Sequence, residues 1–206
     1  QYSKPSIDAS DETIADHYGW YYMNTFVTNR VGGKVFVVDG QQRLTTLTLI
    51  LINLYHLAGK YELPSKAKWI EKCILGHTSS GVEFWIGQDE RKEAFENLYN
   101  NNSEKLGAVN QDGLGIKNIY NNYLYIQKYL EKALETSHKF ETFALFLMKR
   151  VVMVNLDVGQ TDVPMVFEVI NDRGEKLKPY EILKGKLLGQ IDKGEVKKYL
   201  PFWDDP

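Results

Sequence analysis

The sequence predicts a mixed α/β (α+β) domain, a small mixed sheet carrying a large helical insert. Three observations point there. Val35 to Val38 is a β-branched and aromatic run, and Asp39-Gly40 turns it directly into a long apolar helix pattern. Residues 151–158, VVMVNLDV, return to strand character far along the chain. Between them, amphipathic helical spacing dominates. The expected organisation is 1–60 as the first part of the core, 61–150 as the mainly helical insert, and 151–206 as the second part. Gln1 at the start and YLPFWDDP at the end suggest an excerpt of a longer protein, cut at both ends.

In chain order, residues 1–16 are polar and read as a loop. Trp20 to Asn29 is aromatic and β-rich and reads as a strand whose rings pack in the core, although such a run can also form a base-stacking platform. Arg30-Val31-Gly32-Gly33 makes a hairpin turn into the Val35 strand. A helix from Gln41 to about Ala58 follows. Leu44, Leu47, Ile50, Leu51, Leu54 and Leu57 line one face, and Leu49 and Ile52 widen it, so most of its girth is expected to be buried. Lys66–Cys73, Gln88–Tyr99, Ile116–Leu134 and Phe140–Arg150 read as helices, 100–115 as a loop, and the stretch from Trp85 to Glu90 as a short strand. After the 151–158 strand, Asp162-Val163-Pro164 opens a helix that breaks at Asn171-Asp172-Arg173-Gly174, and Tyr180–Gly189 forms another.

Composition narrows the function classes. A net charge of −2 gives no global attraction to nucleic acid, so any DNA contact must be local. The lone Cys73 rules out an intrachain disulfide and fits a reducing, cytoplasmic compartment; it reads as a small buried apolar residue. No apolar run reaches membrane-spanning length, and the first residues lack a signal-peptide pattern. His17, His56, His77 and His138 have no metal-ligand spacing, so no metal site is assigned.

Chemistry concentrates in two stretches. In the first, Asp39-Gly40-Gln41-Gln42-Arg43 joins strand to buried helix. A helix start leaves backbone N–H groups without helical partners, and the helix dipole adds positive potential. Those donors, with Arg43 in the first turn and the Gln41 and Gln42 amides beside it, make a place for a phosphate. Asp39 fits an N-cap, a metal ligand or a ribose partner. The spacing is neither a Walker A nor a GxGxxG pattern, and an ordinary capped βα unit would look similar. The second stretch, 167–188, gathers Asn171, Arg173 and Lys184 about a Gly break between helices. Arginines and carboxylates converging from two turns can hold a triphosphate with Mg²⁺; the alternative is a helical corner with solvated charges.

Together these stretches resemble the N-terminal domain of GmrS/GmrD-type modification-dependent restriction enzymes, a bacterial family marked by a DGQQR motif. Here the motif is Asp39 to Arg43, followed by Leu44-Thr45-Thr46-Leu47. The second family block runs from Phe167 through Asn171, Arg173 and Gly174 to Leu177, and continues as Glu181, Ile182 and Lys184. The resemblance implies a ParB/sulfiredoxin-like core and a Mg²⁺-dependent NTPase role using GTP, ATP or CTP. Asp39, Gln41, Gln42 and Arg43 would be catalytic; Gly40, Arg43, Leu44, Thr45, Asn171, Arg173 and Lys184 would bind nucleotide. It further implies phage defence through DNA, possibly modified, and an HNH-type nuclease domain elsewhere on the chain or on a partner, with a homo-oligomer as a further option. Two other readings stay open. One is a DNA-backbone or partner-binding module without turnover, helped by Lys184, Lys186, Lys197 and Lys198. The other is a ParB-like nicking domain, although no paired carboxylates or activated nucleophile accompany the motif.

Overall fold

Ser10 opens the first element. Its Oγ accepts from the Thr13 backbone N–H at 3.2 Å and so caps helix α1, Asp11–His17. In this computed structural model the described residues are 10–78, 81–86, 89–101, 114–166, Leu183 and Leu187. The loop expected over 1–16 is thus corrected from Asp11 onward. The reason is the Ser10 cap together with Ile14 and Tyr18, which are buried against Leu145 and Phe146.

Strand β1, Tyr21–Val31, turns through Gly32 and Gly33 into β2, Lys34–Asp39. Both glycines have positive φ, 58° and 77°, the backbone that a two-residue hairpin turn demands. β1 and β2 pair antiparallel, and the register slips between Val27 and Thr28, so that Val27 faces Asp39 and Thr28 faces Val37. Val38 is the extra residue, which makes a bulge at the end of β2. Strand β5, Val151–Val158, completes a three-stranded sheet of order β2-β1-β5.

The helical part is built on α2, Gln41–Lys60. Leu49, Ile52 and Ala58 are fully buried and Leu51, Leu54 and Leu57 nearly so, while Leu44, Leu47 and Ile50 are half-buried. The helix is enclosed along its second half more than its first, so the expected burial of its girth holds mainly from Thr48 onward. Each fully buried Leu or Ile contributes about 1.5–3 kcal/mol. Glu62, at φ 56°, ends α2 in a left-handed step, and the Leu63 N–H donates to Ala58 O at 2.9 Å. Pro64 then starts α3, Pro64–Ile74, where its missing N–H costs nothing.

A hairpin of β3, Leu75–Thr78, and β4, Gly81–Phe84, follows. The strand expected at Trp85–Glu90 is therefore earlier. Trp85, just past β4, still donates its backbone N–H to Ile74 O at 3.0 Å, donates from Nε1 to Lys72 O at 3.0 Å and lies across Gly76. Next come α4, Asp89–Tyr99; α5, Leu114–Ala133; and α6, Ser137–Arg150, capped by Thr136. Phe95, Leu98, Ile119, Tyr123, Leu130 and Phe140 join the α2 residues in one apolar core.

The chain falls into two compact units, Gln1–Asn24 with Gln41–Met153 and Thr25–Gly40 with Val154–Pro206. The first holds α1 to α6 and the short hairpin. The second holds most of the three-stranded sheet. After β5, residues 163–166 are helical, and Asp162 O accepts from the Val166 N–H at 2.9 Å, as expected of a helix opening there.

Candidate functional site

Asp39 closes β2, and the residue that directly precedes α2 is Gly40. Gly40 is buried with φ 90°, a conformation glycine adopts freely and side-chain-bearing residues rarely do. Gly40 has no side chain to cap α2, and no carboxylate lies in the first turn of the helix. The helix therefore begins without the acidic residue that usually offsets its dipole.

The first-turn side chains divide by exposure. Gln41 and Gln42 are exposed, while Arg43, Leu44 and Thr45 are half-buried. The Nε of Arg43 is withdrawn from solvent. Thr46 donates from its hydroxyl to Gln42 O at 2.9 Å, and Thr48 donates to Leu44 O at 3.0 Å. Both hydroxyls thus find an acceptor one turn back, so neither is left as an unmet donor within the helix. Of the residues assigned to the site by sequence, Asp39 to Thr45 are contiguous here. Asn171, Arg173 and Lys184 lie outside the described residues, as do the break after residue 170 and all but Leu183 and Leu187 of the helix expected from Tyr180.

The sheet contributes a polar cluster that sequence reasoning missed. Thr28, only 3% exposed, donates from Oγ1 to Asn155 Oδ1 at 3.0 Å, with Asp157 Oδ1 at 3.2 Å. Arg30 Nε donates to Asp157 Oδ2 at 3.0 Å, and Asn29 Nδ2 donates to Val158 O at 2.8 Å. Residues two apart on a strand share a face, so Thr28 and Arg30 meet Asn155 and Asp157 on one side of the sheet. The visible trace in the sequence is a polar run in TNRV and polar residues alternating with apolar ones in VNLDV.

Two other expectations are corrected. Trp20, Tyr21 and Tyr22 are 68%, 55% and 60% exposed, so the aromatic start of β1 is surface rather than core. The Arg150 guanidinium sits 4.6 Å from the Trp20 ring centre, in stacking range. Cys73 is exposed on α3, not buried; its Sγ lies 3.8 Å from Trp69 O. A face of α3 that looks amphipathic in sequence puts Ile70 and Ile74 inside and leaves Cys73 outside.

Among the described residues, no helix is long and apolar enough to cross a membrane, and no three His, Cys, Asp or Glu side chains gather as a metal site would require. No curated protein and no solved structure matches the chain. A family model does match, over residues 6–188: the GmrSD restriction endonuclease, N-terminal domain. The match covers most of the chain and includes both the DGQQR turn and the second block. This protein belongs to the GmrSD restriction endonuclease family, as its N-terminal domain.

Proposed function

We propose that this domain binds a nucleoside triphosphate with Mg²⁺ at the DGQQR turn, hydrolyses it, and couples that step to DNA cleavage by a nuclease domain in phage defence. The observation that carries the reading is the start of α2. An arginine whose Nε is withdrawn from water stands in a helical first turn that has no acidic residue, directly after a glycine at φ 90°. That combination favours an anion over any other ligand.

The roles follow from residue type. Arg43 and the first-turn amides hold phosphate oxygens. Gln41 or Gln42, both exposed, orients the attacking water. Asp39 positions water or metal. Arg173 neutralises charge as it develops, and Asn171 and Lys184 complete the nucleotide contacts. Mg²⁺ keeps several waters and takes one or two carboxylates plus phosphate oxygens, so a site supplied by Asp39 and the nucleotide suits it. The ParB/sulfiredoxin-like kinship belongs to the same reading, with the order strand, arginine turn, helix and later Asn/Arg block as its support.

The test is phosphate release from GTP, ATP and CTP with Mg²⁺, using the full chain and Gln41→Ala, Gln42→Ala and Arg43→Ala. Turnover of one nucleotide that falls in all three variants supports hydrolysis at this turn. Turnover that is unchanged in all three contradicts it.

A further inference from the structure

Helix α5 presents two faces of different chemistry. Ile119, Tyr120, Tyr123 and Leu130 are buried. On the opposite side Lys117, Asn121, Tyr125, Lys128, Tyr129 and Lys132 are all exposed. Their spacing of three and four residues from Asn121 to Lys132 stacks them along one stripe. Tyr125 and Tyr129 are 74% and 60% exposed. The helix contains three lysines and a single carboxylate, Glu131, which lies on the flank of the stripe.

This local excess of positive charge stands on a chain whose net charge is −2. A helix face kept only for solubility mixes both signs. Here the acids are missing, and two rings with hydroxyl donors take their place. Lysine supplies point charges for phosphates, and tyrosine and asparagine supply the neutral donors that commonly accompany them on a nucleic-acid backbone.

We propose that this face of α5 is a contact surface for the phosphodiester backbone of DNA. Lys117, Lys128 and Lys132 pair with phosphates, the Tyr125 and Tyr129 hydroxyls and the Asn121 amide donate to phosphate oxygens, and the rings lie against sugars. Lys117 to Lys132 spans about 22 Å at about 1.5 Å per residue, the axial rise of roughly six nucleotides of one strand. The surface reads no base sequence; it adds affinity and orientation. DNA as the target class follows from membership of a restriction family. The surface itself does not rest on the nucleotide reading.

The experiment is fluorescence anisotropy of labelled duplex and single-stranded oligonucleotides, titrated with the full chain over a series of salt concentrations. The variants are Lys128→Ala with Lys132→Ala, and Tyr125→Ala with Tyr129→Ala. All four side chains are exposed, so the thermal midpoint should not move. The lysine pair is expected to lower affinity by about tenfold or more at low salt and to reduce the slope of log affinity against log salt by about 2, roughly 1 per lysine. The tyrosine pair should weaken binding at an unchanged slope. The slope change in either form of DNA supports the proposal. A folded lysine variant that matches the parent in affinity and slope overturns it, and so does a parent chain that binds neither oligonucleotide at low salt. Tyrosine substitutions that dissociate an oligomer while DNA affinity stays constant also overturn it, assigning the face to a second copy of this chain. Nucleotide binding by the same variants should be unchanged, which keeps this proposal and the nucleotide reading separately testable.

Discussion

The Thr28 hydroxyl donates to the Asn155 side-chain oxygen at 3.0 Å, across 127 residues of sequence. The donor is buried and its acceptor is exposed, so the bond fastens β5 to β1 from beneath a polar surface. Thr28→Val keeps the shape and removes the donor. Because Asn155 and Asp157 can turn to water, the expected cost is only about 1 kcal/mol, read as a lower denaturant midpoint. Arg30→Ala should cost less still. Its pair with Asp157 is exposed on both sides, and the small loss should shrink further in high salt.

Gly40→Ala tests the turn into α2. At φ 90° a Cβ is strained whatever the space around it, and the cost should be about 1–2 kcal/mol of stability. If the turn is the nucleotide site, nucleotide affinity falls along with it. A variant as stable as the parent would mean that this backbone relaxes freely.

Much of the frame was legible in the sequence because it is local. The strand ending at Asp39, the helix starting at Gln41 and the 151–158 strand all follow from apolar periodicity and a glycine turn. What escaped is either short or long-range. α1 has only Ile14 and Tyr18 to mark it, and the Ser10 cap is its one signal. The β3–β4 hairpin is too brief for alternation to show. Burial of Trp20 to Tyr22 and of Cys73 could not be read from residue type, because the same aromatic strand or thiol serves core and surface alike. The Thr28–Asn155–Asp157 cluster needs tertiary pairing that one sequence does not display. The DGQQR turn, by contrast, is contiguous: a strand leads into it and the helix starts at Gln41, as the pattern predicts, but Asp39 ends the strand and Gly40, not Asp39, takes the cap position.

Gly76→Ala should move Trp85. A Cβ at Gly76 would come within 2.8–2.9 Å of three carbons of the indole. Trp85 is 65% exposed, so the ring can swing away at small cost, breaking its Nε1 bond to Lys72 O. The expected result is a shift of tryptophan emission with little change in the midpoint. The shift should be absent in a Trp85→Phe background.

Tyr123 supplies a stabilising change. Its hydroxyl is buried and makes no hydrogen bond among the described residues. Removing an unmet polar group while keeping the ring should raise stability, so Tyr123→Phe is expected to gain up to about 1 kcal/mol in equilibrium unfolding.

The same residue sets an alkaline limit. Burial, and secondarily the charge of Glu131, pushes Tyr123 up to about 12. Tyr99 is raised too, first by burial and then by its hydrogen bond to Glu71. Unfolded tyrosines ionise near about 10. The folded state therefore holds protons that the unfolded state releases. Stability is fully present below about pH 10 and is lost as pH rises toward 12. Tyr123→Phe should flatten that decline; an identical decline in parent and variant would assign it to other groups.

The most direct test of the account is calorimetric titration of GTP, ATP and CTP with Mg²⁺ into the chain and into Arg43→Ala. One nucleotide is expected to bind, and the variant to lose about ten- to hundredfold in affinity, the size of a charge-assisted phosphate contact. Equal affinity in the two proteins would contradict it and move the phosphate site away from the DGQQR turn.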